Sequence, residues 1–166
     1  MGMQYDVKSF HATESTLAYA GRTRLKGIVI SPISSTTFNS CVVDTVGALT
    51  ATYNSPGSTT CTVTVNNHGL SNGDRVGLNF TSGSSGIPVD DSYDISNVTT
   101  NTFEITTATS FTSSGNVTVY PSILVELDSS SGTAYYTLVP GEGILALEGL
   151  FCLLPSTNVT MTIFYG

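Results

Sequence analysis

Two histidines, twelve carboxylates and three cysteines are the side chains of this 166-residue chain best suited to acid–base, nucleophilic or metal chemistry. His11 stands apart from the others, and His68 lies in the stretch "NNHGLSNGD" beside Gly69, with Asp74 six residues on. A general base needs a nucleophile and an orienting group within reach. Neither histidine belongs to a Ser/His/Asp or Cys/His motif, so His68 reads as a turn residue that caps backbone groups. Asp90, Asp91 and Asp94 form the densest acidic cluster. Carboxylates on a loop can bind calcium, but the central Gly and terminal Glu of an EF-hand are missing. The cluster therefore reads as a solvated acidic loop. Glu126, Asp128, Glu142 and Glu148 could supply the carboxylate pair of a glycosidase. The chain has no Trp and only 9% aromatic residues, however, which leaves a sugar platform poorly supplied. Cys41, Cys61 and Cys152 lack zinc-ligand spacing, and their apolar or Thr-rich surroundings predict reduced, buried thiols. "GSSG" at 83–86 and "GEG" at 141–143 have neither the helix nor the lysine of a phosphate loop. The expectation is a protein that is not an enzyme, with no catalytic residue, no cofactor and no metal.

Charge is scarce and unevenly placed. Charged residues make up 10% of the chain, and the formal net charge is -7. Lys8, Arg22, Arg24 and Lys26 lie in the first 26 residues against only Asp6 and Glu14. Beyond them Arg75 alone faces ten acids. A nucleic-acid partner needs several cations facing phosphates, and this acidic body would repel them. The basic stretch suits an acidic protein surface instead, which makes Lys8, Arg22, Arg24 and Lys26 the candidate partner-docking residues. Residues 1–10 carry no apolar run of a signal peptide, and no stretch approaches the length of a membrane helix.

The elements that must position these residues are strands. The chain holds 26 Thr, 22 Ser and 16 Gly and few helix formers, and no segment shows a useful 3.6-residue period. Residues 1–21 lack a clean period and read as an arm ending at Gly21. In "RTRLKGIVIS", Leu25, Gly27 and Val29 fall on one face and Arg24 and Lys26 on the other, with Pro32 as a stop. "TTCTVTV" alternates Cys61, Val63 and Val65 with threonines, and "RVGLNFT" alternates Val76, Leu78 and Phe80. "TSGSSGIP" (81–88) reads as a flexible loop. "SYDISNV" and "NTFEITT" read as a hairpin, and "GNVTVYP" as a further strand. "SILVELD", "AYYTLVP", "ILALEG" and "LFCLLP" are predicted strands, with turns at "SSSGT" and "GEG". "NVTMTIFYG" alternates Val159, Met161, Ile163 and Tyr165 with polar partners. The predicted fold is all-β: an antiparallel β-sandwich or jelly-roll-like core formed by residues 1–43 plus 121–166, with a small inserted β-domain at 44–120.

Three stretches together carry a resemblance. They are "YDVKSFHATESTLAYAGRTRLKGIVIS" (5–31), "LVPGEGILALEGLFCLL" (138–154) and "NVTMTIFYG" (158–166). Their order resembles small virion structural proteins of tailed phages, many from marine hosts. Gly21, Arg22 and Arg24 match a Gly-Arg-x-Arg strand, Pro140 to Ile144 match a Pro-Gly-Glu-Gly-Ile turn, and Thr162 to Tyr165 match the closing strand. The middle segment is similar to a β-module recurrent in phage structural proteins, through the turn of His68, Gly69, Leu70, Gly73 and Asp74. The resemblance implies a virion protein assembled in the host bacterial cytoplasm. The expected role is a capsid decoration or cement protein docking on the major capsid protein or other virion proteins. A tail or portal-vertex component, or a host-surface glycan-binding module, is the alternative. A homo-oligomer is expected, with a trimer suiting threefold sites, and no nucleic-acid or membrane partner.

Overall fold

Alternation of β-branched residues with threonine dictates the local structure, because a pleated strand presents successive side chains to opposite faces. The chain is all-β with antiparallel sheets, and no described residue is helical. The computed structural model describes residues 7–33, 38–129, 133–155 and 158–166. Residues 1–6 of the expected arm and most of the expected "SSSGT" turn fall outside these. In chain order the strands are β1 Lys8–Ala12, β2 Thr16–Ala20, β3 Thr23–Pro32, β4 Phe38–Asp44, β5 Leu49–Thr64, β6 Arg75–Phe80 and β7 Asp91–Asp94. They continue as β8 Thr102–Tyr120, β9 Ser122–Ser129, β10 Tyr135–Leu138, β11 Ile144–Ala146, β12 Gly149–Leu153 and β13 Val159–Tyr165. The chain divides into two compact units, one of Met1–Val46 with Leu124–Gly166, the other of Gly47–Ile123.

The first unit has two sheets. One runs β1-β13-β3-β10, with β11 also on β3, and the other runs β2-β12-β4-β9. With β10 and β11 counted as one interrupted strand, since both pair with β3, successive strands alternate between the sheets except at the step from β4 to β9. This is the strand order of an eight-stranded, double-sheet jelly roll. The core draws Ile28 and Ile30 from β3, Val42 from β4, Leu150 and Cys152 from β12, and Met161 and Ile163 from β13. All five residues of β12 are buried, which explains why this strand has no polar alternation.

Three features of this unit differ from the sequence expectation. The arm is instead two strands, β1 on β13 and β2 on β12. Second, Val29 does not share a face with Leu25: Ile28 and Ile30 are buried and Val29 is only half-buried. The pairing of β13 with β3 passes from Phe164↔Gly27 to Tyr165↔Leu25, which leaves Lys26 as an extra residue. A bulge of one residue inverts every later side chain on the strand. Third, β10 and β11 follow one another along the same edge of β3, at Ile30–Gly27 and Leu25–Thr23. The segment Pro140–Gly143 loops out between them, opposite the bulge. Gly143 needs its positive φ of 83°, and a Cβ there would lie 2.4 Å from the Leu25 carbonyl oxygen.

The second unit is a single sheet, β5-β8-β6-β7. β5 and β8 pair over most of their lengths, with register shifts between Pro56 and Ser58 and between Ser58 and Thr60. An isolated bridge joins Ser96 to Glu104, so the chain beyond β7 returns to the start of β8 and the sheet curls around its own core. Cys61, Val63, Val76, Leu78, Phe103 and Val119 are fully buried there. The expected flexible loop at 81–88 is instead laid along β8. Thr81 N–H donates to Asn116 O at 3.0 Å, Ser84 N–H to Ser114 O at 3.0 Å, and Ser113 Oγ to Gly86 O at 2.8 Å. Gly83 and Gly115 make this approach possible, since neither has a Cβ to hold the backbones apart.

Cys41, Cys61 and Cys152 are buried thiols outside any disulfide. Burial pushes the Cys61 thiol up to about 11 and the Cys152 thiol up to about 12. Since the thiolate is the reactive form, these two thiols should resist an aromatic disulfide reagent at pH 8 in the native protein and react rapidly in denaturant. Fast labelling of the native chain at Cys61 or Cys152 would contradict the burial.

Candidate functional site

A cleft of about 550 Å³ opens in the jelly-roll unit. Three of the four nominated cations meet in it. Lys8 enters from β1, where it pairs with Tyr165 of β13. Arg22 comes from the turn between β2 and β3, and Arg24 from β3 itself. β1 and β3 flank β13 on either side, so residues 16 apart in sequence converge at one end of the sheet. Leu145, opposite Arg24, supplies an apolar wall, and Thr23 also lines the cleft. Tyr19 from one sheet and Tyr165 from the other pack with ring centroids 5.1 Å apart and planes tilted by 39°. Gly166 closes the rim, its N–H donating to Arg24 O at 3.1 Å.

The cations are loosely engaged. Arg24 Nη2 lies 3.5 Å from Glu142 Oε2, whose side chain is 85% exposed. Arg24 Nη1 donates to Gly143 O at 3.4 Å. No hydrogen bond or ion pair joins Lys8 or Arg22 to a described carboxylate. Lys26 does not line the cleft. Its Nζ donates to the Glu142 carbonyl oxygen at 2.7 Å, which ties the looped-out Pro140–Gly143 segment to the β3 bulge. Lys26 thus holds a turn, whereas Lys8, Arg22 and Arg24 face a space.

The other nominated groups hold structure in place. His68 Nδ1 accepts the Leu70 N–H at 3.1 Å, and the ring stands edge-on to Phe103. Asp74 Oδ2 accepts the Ser71 N–H in the same turn at 2.8 Å. His11 Nδ1 lies 2.8 Å from Thr162 Oγ1. Asp90 Oδ1 accepts the Phe80 N–H at 2.6 Å, and Asp91 Oδ1 the Ser92 N–H at 2.7 Å. Asp94 pairs with Arg75 at 2.9 Å. Glu126 accepts a hydrogen bond from Asn39 Nδ2, and Asp128 shares its strand, while Glu142 and Glu148 occupy separate turns. Among the described residues no group of three or more His, Cys, Asp or Glu side chains could hold a metal ion.

One carboxylate missed by sequence reasoning accepts four backbone N–H groups. Asp44, at the end of β4, is 2% exposed. Its Oδ2 accepts the Leu147 N–H at 2.5 Å, and its Oδ1 accepts those of Val46, Glu148 and Gly149 at 3.1, 3.1 and 3.2 Å. Burial by itself would raise its pKa. The bonds from Leu147, Glu148, Val46 and Gly149 outweigh that and hold the carboxyl below its ordinary value. The available signal was an Asp closing an apolar strand just before "TVG", which is turn chemistry. No family model, curated protein or solved structure matches this chain.

Proposed function

We propose that this chain is a structural protein of a tailed-phage particle, a capsid decoration or cement subunit that docks on the major capsid protein through its jelly-roll unit. The observation that carries the reading is the strand order, β1-β13-β3-β10 against β2-β12-β4-β9, because double-sheet jelly rolls build viral capsid domains among others. Folds host many functions, so the second support is chemical: a cationic cleft on a chain whose net charge is -7. Its cations suit docking on an acidic surface. The edge strand β10 exposes Tyr136 at 60% and Leu138 at 64%, and an apolar edge of this kind favours coverage by another subunit, as in a homo-oligomer. The residues identified above make hydrogen bonds that hold turns and strands, which fits a structural role better than an enzymatic one.

The test is the amount and place of the chain in purified particles. Copy numbers in the hundreds, at positions repeated over the shell, are expected for a decoration protein. About six to eighteen copies at one vertex would assign it to the tail or portal instead. Absence from particles would overturn the virion reading altogether. A wash at about 0.5 M salt should release more of the protein than one at about 50 mM, because screening weakens exposed charge contacts.

A further inference from the structure

We propose that the cleft of Lys8, Arg22 and Arg24 binds the carboxylates of an acidic protein segment, and that Glu142 is its built-in competitor. The proposal rests on the docking reading and specifies what the cleft recognises. Three cations line the cleft with no Asp or Glu side chain among its lining residues. Lys8 and Arg22 are exposed and no described acid pairs with them, so their charge is available to an incoming group. Arg24 has only long contacts with the turn, at 3.5 Å to Glu142 Oε2 and 3.4 Å to Gly143 O. A guanidinium prefers shorter, paired bonds to a carboxylate, so a better-placed one can take it from the solvated Glu142.

The rest of the lining favours acidic side chains over free phosphate. Phosphate sites commonly gather backbone N–H groups. Here the Gly166 N–H at the rim is already used by Arg24 O at 3.1 Å, and that of Gly21, next to Arg22 in the chain, by Glu148 O at 2.7 Å. What remains is side-chain cations beside Tyr19, Tyr165 and Leu145. Those apolar surfaces suit the methylene stems that accompany Asp and Glu carboxylates. A cleft of about 550 Å³ has room for several such side chains.

Glu142 gives the proposal a signed test. Its side chain competes for Arg24, whereas its backbone carbonyl holds Lys26. Glu142→Gln removes the competitor and leaves the carbonyl. Fluorescence anisotropy on the full chain would follow a labelled peptide of about eight residues alternating Glu and Asp with Gly, at about 50 mM salt. Saturable binding is expected, with none for the Gln/Asn version of the peptide. Glu142→Gln should tighten binding about threefold, and Lys8→Ser with Arg22→Ser should weaken it at least about tenfold. Pyrophosphate should displace the peptide only at far higher concentration. The proposal is overturned if Glu142→Gln leaves affinity unchanged or lowers it, if the double variant binds like the parent, or if pyrophosphate competes at equal concentration. Because the peptide assay needs no particle, the cleft and the virion role fail separately: protein missing from particles but binding the peptide rejects only the latter.

Discussion

Asp44→Ala should destabilise the jelly-roll unit by about 4 kcal/mol, since it strands four N–H groups around a buried site that water cannot easily refill. For a chain of this size that lowers the melting temperature by roughly 10 °C. Asp44→Asn keeps the shape but not the chemistry. If the amide oxygen faces Val46, Glu148 and Gly149, its NH₂ is left against the Leu147 N–H, where two donors meet. A loss of about 2 kcal/mol is expected. The pH dependence has a fixed sign. The folded-state pKa lies below the ordinary value of 3.8, so the ionised carboxylate contributes its full stability above that value. The contribution is lost as pH falls towards the lowered folded-state pKa. Urea titrations from pH 7 to pH 2 should therefore show a steeper acid decline for the parent than for Asp44→Asn. Parallel acid limbs would mean that the four bonds do not stabilise the ionised form.

The alternation in β13, with Val159, Met161, Ile163 and Tyr165 buried, and that of Cys61, Val63 and Val65 are plain in the sequence. Both strands present one face to a core, so burial and polarity keep a period of two. β1 and β2 escaped notice because each is the edge strand of its sheet. Each has a single fully buried residue at most, and selection for apolar alternation is correspondingly weak. The Lys26 bulge was hidden for another reason: a register shift depends on what the neighbouring strands need, and local sequence does not encode it. The cleft follows the same division. Its cations stand out as a basic stretch in an acidic chain. That Lys8 and Arg24 flank one strand depends on β13, more than 130 residues away from either. The tyrosines were read as core or arm residues, and only the sheet order brings Tyr19 to Tyr165. Sequence also treated Arg24 and Lys26 alike, whereas the bulge sends one to the cleft and the other to the Glu142 carbonyl.

In the Gly47–Ile123 unit the largest effect is expected at Gly115, in the middle of β8. A Cβ there would lie 2.0 Å from Ser82 O, 2.6 Å from Ser82 C and 3.0 Å from Gly83 Cα. These are backbone atoms, so no rotamer change relieves the overlap. The segment 81–86 must lift, and the bonds of Thr81, Ser82, Ser84 and Gly86 to β8 are lost with it. At about 1 kcal/mol each, the sum is roughly 3–4 kcal/mol for Gly115→Ala. Gly69→Ala is the matched control in the same unit. Its φ of 70° imposes backbone strain, but nothing lies within 4 Å of the added carbon, so a cost of about 1 kcal/mol is expected. Hydrogen exchange separates the mechanisms further. Gly115→Ala should expose the Thr81 and Ser84 amides to solvent, whereas Gly69→Ala should leave both protected. If the two variants melt together with those amides unchanged, the 81–88 segment does not rest on β8, and "TSGSSGIP" behaves as the flexible loop that its composition suggests.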